Sequence, residues 1–99
     1  MAEYQVLYWY DIPLQVRAGS RKDRFRKELS SRFQVAIDRA AVKAELTGTD
    51  AYLAGFSWGE TQERPGTPQE VTEIIIAEIE SSYEEIDWRK TAQNLKEQS

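Results

Sequence analysis

Cysteine and histidine, the two side chains with the widest chemistry, do not occur in this 99-residue chain. Without cysteine there is no disulfide, no thiolate nucleophile and no soft metal ligand. Without histidine there is no imidazole, the usual base for a serine nucleophile. Zinc, copper and iron lose their ordinary ligands, leaving only oxygen donors for magnesium or calcium. A cysteine-free chain suits a reducing compartment, and a cytoplasmic location is expected. Long apolar runs are also missing. The longest, Val6–Tyr10 and Ile74–Ala77, fall far short of the roughly 20 residues that span a bilayer. The opening MAEYQV shows no signal-peptide pattern, so no membrane association is expected. Glycine and proline number only five and three, so each break they make can be placed.

What is present fits one small domain. Hydrophobic residues make up 40% of the chain and aromatics 11%, enough for a single modest core. The charge is lopsided. Residues 1–50 carry nine Lys/Arg and seven Asp/Glu, whereas residues 51–99 carry four and ten. The molecule is thus electrically two-ended beneath its net charge of −4. Residues 17–32 concentrate the positive charge.

The first element is a strand from Glu3 to Tyr10. Tyr4, Val6, Tyr8 and Tyr10 alternate with Gln5, Leu7 and Trp9, so both faces are largely apolar, as in an interior strand. Pro13 imposes a turn or bulge, and Leu14–Ala18 forms a second strand ending at Gly19-Ser20. Residues 21–29 fit two readings. Phe25, Leu29 and Phe33 have helical spacing from a Ser20 cap, but the dense like charge opposes an early start. From Ser30 a helix is clearer, with Phe33, Ile37, Ala40, Ala41 and Ala44 in one stripe and Gly48 as its left-handed cap. Alternation of Tyr52, Ala54, Phe56 and Trp58 predicts a strand up to Gly59, followed by a polar loop. Thr67-Pro68-Gln69-Glu70 is a helix start with Thr as N-cap, Pro at N1 and Glu closing a capping box. That helix buries Val71, Ile74, Ile75, Ile79, Tyr83 and Ile86, exposes Glu73, Glu80 and Glu84, and ends near Trp88. The result is a single α+β domain over residues 1–90 with the order β-β-α-β-α. An antiparallel sheet of about three strands has both helices on one face, and residues 91–99 form a frayed tail.

Gly55-Phe56-Ser57-Trp58-Gly59 matches G-x-S-x-G, the nucleophile elbow of serine hydrolases. Two facts oppose that chemistry. No histidine exists to activate Ser57, and the alternating pattern places it within a strand rather than at a strand-turn-helix junction. Glu84, Glu85 and Asp87 cluster, but as a solvated helix face without calcium-loop spacing. No catalytic residue, metal or cofactor is therefore expected. The expected function is a non-catalytic protein-interaction or accessory module. Its partner would be another protein or a second copy of the chain, met near Trp9, Asp11, Pro13, Gln15 and Trp58. The alternative is nucleic-acid binding, with Arg17, Arg21, Lys22, Arg24 and Arg26 on phosphates and Trp9, Tyr10 or Trp58 stacking on bases. The acidic second half opposes this unless it faces away. The sequence leaves open whether the tryptophans are core or surface.

Two segments carry a resemblance. Tyr8, Trp9, Asp11, Ile12, Pro13, Gln15 and Val16 form the first. Arg32, Phe33, Ala36, Ile37, Asp38, Ala40 and Ala41, followed by Gly48 to Leu53, form the second. Together they resemble the small bacterial virulence factor domain family over roughly residues 4–86. Tyr10 departs from the pattern, which usually has a basic residue there. The resemblance implies a bacterial source and an accessory or interaction role, either standing alone or appended to helical-repeat proteins. It implies no established activity. The matching polar positions Asp11, Gln15, Arg32, Asp38 and Asp50 become site candidates on that ground, although Asp11 and Asp50 are also ordinary turn residues.

Overall fold

A computed structural model describes residues 2–20 and 22–98, without the side chains of residues 97 and 98. Its first two strands, β1 (Ala2–Trp9) and β2 (Ile12–Gly19), pair antiparallel, as their alternating apolar residues predict. Tyr4, Val6, Val16 and Ala18 are buried together. The register of β1 on β2 shifts between Leu7 and Tyr8, opposite Pro13. A residue without an N–H is best tolerated where the ladder is already interrupted, so the predicted irregularity takes the form of a bulge.

The sheet has five strands rather than about three. Residues 24–28 form β3 (Arg24–Glu28), which settles the helix-or-not reading of that stretch in favour of a strand. Like charges that would crowd a helix can alternate across the two faces of a strand. The expected strand from Tyr52 to Gly59 is a correction. Residues 50–54 form a short helix, α2 (Asp50–Ala54), and only β4 (Phe56–Trp58) is extended. Thr49 caps α2 by accepting from the Tyr52 N–H, and that capping outweighs the period-two pattern. The predicted polar loop contains β5 (Gln62–Arg64). The order is β3-β2-β1-β4, with β5 pairing on β1 beside β4.

The remaining helices are α1 (Ser31–Lys43), α3 (Pro68–Ser82) and α4 (Trp88–Gln98). The two long helices expected on one face thus become three, in two groups. In one, α3 buries Val71 and Ile75 against Tyr4, Val6, Val16 and Ala18. In the other, α1 and α4 join Trp9 and Ile12 around Phe33, Ile37 and Ala92. The capping box of α3 forms as predicted, with Thr67 and Glu70 bonded reciprocally. Ile74, expected inside, is 45% exposed, and Glu80, expected outside, is half-buried. The segment expected to fray is helical to Gln98, with Thr91 and Ala92 buried. No helix among the described residues is long and apolar enough to cross a membrane.

The end of α1 also differs from expectation. Glu45, not Gly48, supplies its left-handed residue, at φ 62°. Leu46 N–H donates to Ala41 O and Glu45 N–H to Val42 O, the paired bonds that close a helix C-terminus. Gly48 lies further along the turn at φ 77°. One polar group remains unmatched in the core. Thr72 is fully buried and its hydroxyl has no partner among the described residues. Replacing it with the near-isosteric valine removes that desolvated group. Thr72→Val is therefore expected to stabilise the fold by about 1 kcal/mol. Thermal unfolding should show a rise of about 4–8 °C, and a fall would mean the hydroxyl is satisfied.

Candidate functional site

Strand alternation sorts the sheet residues into a covered and an uncovered set. Opposite the α3 face, register places Gln5 beside Arg17 and Arg17 beside Arg26. The next row sets Leu7 between Gln15 and Trp58, with Glu28 beyond Gln15. Neither Leu7 nor Trp58 belongs to a core cluster. None of these side chains is buried. The α3 helix lies on the other side, so its exposed Glu70 and Glu73 point away from this surface.

The side chains on this face hold one another. The Arg17 guanidinium carbon sits 3.7 Å from the Trp58 ring centroid, a cation–π stack. Its Nε and NH2 donate to Gln5 Oε1 at 3.1 and 2.7 Å, and Gln5 Nε2 donates to Gly59 O at 3.1 Å. The indole, the guanidinium and the amide thus form one connected platform across three strands. Burial, followed by repulsion from Arg24 and Arg26, lowers the pKa of Arg17. It remains a cation, but in a local excess of positive charge. Lys22, Arg24, Arg26 and Lys27 are exposed, and none joins an ion pair among the described residues. A depression of about 80 Å³ beside Gly19, bordered by Arg17, Arg24 and Glu3, is too small for a drug-sized ligand. The face is an open surface rather than a pocket.

The candidate residues fall into separate places. Trp9 and Pro13, expected at a contact surface, are fully buried, which corrects that assignment. The Trp9 indole donates from Nε1 to Tyr52 O at 2.8 Å. Asp11 is exposed at the β1–β2 turn, where Oδ1 accepts from the Thr91 hydroxyl at 2.6 Å and ties α4 to the sheet. Gln15 and Trp58 do lie on the uncovered face, as do Arg17, Arg24 and Arg26. Lys22 precedes β3 in an exposed bend, and Arg21 lies outside the described residues. Arg32 pairs with Glu80, Asp38 accepts from Gln34, and Asp50 sits in the first turn of α2. Sequence reasoning missed Gln5 and Leu7. Their alternation with Tyr4 and Val6 was the available signal.

Ser57 sits on β4 opposite Tyr8, and the chain beyond it continues through Trp58 and Gly59 to β5. A strand position of that kind is not a nucleophile elbow. Gly55 has its own reason to be glycine. A Cβ there would lie 2.4 Å from Tyr10 Cε2 and 2.8 Å from Trp9 Nε1. The exposed Tyr10 ring can swing away, but the buried indole cannot. Gly55→Ala is expected to destabilise by about 1–3 kcal/mol through overpacking. A urea midpoint equal to wild type would show that the tip accommodates a methyl group.

No curated protein and no solved structure matches the chain. A family model described as virulence factor matches residues 7–90, from the last part of β1 to the start of α4. With that span covering most of its length, the chain belongs to the virulence factor family.

Proposed function

We propose that this chain is a non-catalytic interaction module that binds another protein through the uncovered sheet face. The observation that supports it best is the platform of Trp58, Arg17 and Gln5 beside Leu7, held in shape by its own hydrogen bonds yet covered by no helix. Half-buried aromatic and arginine side chains that are already ordered lose little entropy on binding, and both types are enriched where partners are held tightly. The test is affinity capture from the source cells with immobilised wild type and with Leu7→Ser/Trp58→Ser. Wild type is expected to retain a stoichiometric protein that the double variant loses, with circular dichroism verifying that the variant folds. Equal retention by both, or no stoichiometric protein at all, defeats the proposal.

Nucleic acid is the second reading, favoured by the stacking of Arg17 on Trp58 beside Arg24 and Arg26, which join no ion pair among the described residues. The acidic α3 surface lies on the opposite side, which weakens the charge objection drawn from the sequence, while Glu3, Glu28 and Glu63 remain on this face. Titration of labelled oligothymidylate at low and high salt separates the two. Absence of binding at low salt eliminates this reading, because phosphate contacts appear there first.

A further inference from the structure

Among the described residues, β3 is the outermost strand on its side and pairs with β2 alone. Backbone donors and acceptors along its outer edge therefore face no neighbouring strand of this chain, the condition that invites an added strand. Edges of this kind are commonly guarded by charge, and here that charge is positive except at Glu28, the last residue of the strand. Arg24 and Arg26 project on the uncovered face beside Arg17, and Lys27 projects on the other, next to Val16. None of Arg24, Arg26 and Lys27 is neutralised by an ion pair among the described residues.

Charge also selects among possible occupants. Two β3 strands joined antiparallel about Arg26 would set Arg17, Arg26 and their two copies in one row of four guanidinium groups. Like charges directly opposite are unfavourable, but the same register sets Arg24 of each strand opposite Glu28 of the other. Charge alone therefore does not decide against a second copy; concentration-dependent shifts of residues 24–28 without peptide would show one in place of a partner. A nucleic acid strand gains nothing from the backbone edge. Its regular phosphates would also meet Glu28, Glu3 and Glu63, which border the basic column on the same face. A short, extended segment with a few carboxylates satisfies both the edge and the column.

We propose that β3 receives an acidic, extended segment of a partner protein as a sixth strand. Its carboxylates face Arg24 and Arg26, and an apolar residue faces Phe25. This rests on the reading of the sheet as a protein-binding surface and names the partner's chemistry. The test is an amide NMR titration of the full chain with an octapeptide alternating valine and glutamate. A valine–lysine octapeptide and octathymidylate serve as controls.

The acidic peptide is expected to shift the amides of residues 24–28 saturably. Affinity should fall about tenfold or more in Arg26→Glu and on raising salt from about 50 to about 500 mM. Arg24→Glu provides a second variant, and each spectrum itself reports whether the variant is folded. No shift with the acidic peptide overturns the inference, as does equal binding of the lysine peptide. Stronger binding of octathymidylate at β3 also overturns it. Shifts confined to Leu7 and Trp58 sink the added strand but leave the uncovered-face reading standing, so the two failures are distinguishable.

Discussion

Trp9→Ala is expected to lower stability by about 3–5 kcal/mol, a large part of the roughly 5–15 kcal/mol available to a domain of this kind. The indole is fully buried and meets the Tyr10 ring edge-on at 4.8 Å and the Tyr52 ring at 5.8 Å. Its removal opens a cavity where the β1–β2 turn, α2 and Gly55 converge, and it leaves Tyr52 O to the longer bond from the Gly55 N–H at 3.3 Å. Trp9 also helps hold an unfavourable backbone. Tyr10 has φ 55°, a conformation costly for a bulky residue. It is kept there by the Tyr10 N–H on Gly55 O, its hydroxyl on Ala51 O and the edge contact with Trp9. Trp58→Ala, by contrast, removes a half-buried ring and should cost under about 1.5 kcal/mol. Urea unfolding of both variants provides the measurement. A Trp9→Ala midpoint close to that of Trp58→Ala would show that the buried indole is not central to this core.

The second large effect is expected at Glu80. Its carboxylate accepts from the Ser30 N–H at 2.7 Å and the Ser30 hydroxyl at 2.9 Å. Ser30 makes no cap of its own, so Glu80 caps α1 from a different helix. Arg32 returns the arrangement. Its NH2 donates to Glu80 O at 2.9 Å and its NH1 to Tyr83 O at 2.5 Å, satisfying carbonyls at the end of α3. The Arg32–Glu80 ion pair, 3.0 Å, binds the two caps together. Glu80→Ala is expected to cost about 2–3 kcal/mol, combining a lost cap with charged hydrogen bonds reduced by partial exposure.

The same carboxylate gives a pH signature. Burial raises its pKa, but the bonds from Ser30 and Arg32 together outweigh burial and hold it below the usual value of 4.5. A depressed folded-state pKa means the stabilisation is present above about pH 4.5 and lost as pH falls through the lower folded value. Wild type should therefore lose stability more steeply than Glu80→Gln as pH drops below about 4.5. Glu70 and Glu78, lowered by Thr67 and Arg64 respectively, account for part of the loss that remains in the variant. Parallel acid titrations of the two proteins would contradict this assignment.

Residues whose signals are local were legible in the sequence. The α3 start was read correctly because Thr67, Pro68 and Glu70 complete their bonds within four positions. β1 and β2 followed from alternation, and Pro13 marked their irregularity. The Tyr52–Trp58 stretch misled because its period-two pattern crosses a helix–strand boundary. The overlooked signal was Thr49-Asp50, an N-cap followed by an acid. α4 has a comparable start in Asp87, whose carboxylate accepts from the Lys90 N–H. β5 has no apolar alternation to reveal it. The cap of α1 was beyond local reading, since its acceptor lies 50 positions away. For the site, the uncovered face could be read only in part. Period two separates Gln5, Leu7, Arg17 and Trp58 from their neighbours, but which face the helices cover depends on contacts between distant segments.

The position of β1 has a further consequence during synthesis. One side of this strand is matched at once by β2, but the other waits for β4 and β5, about fifty residues later in the chain. Until these leave the ribosome, a nascent chain carries an unmatched row of amides beside Val6, Tyr8 and Trp9. Such long-range closure slows folding and leaves the intermediate prone to aggregation. The rate of translation through the second half, or chaperone shielding of that row, would govern how much folded product survives.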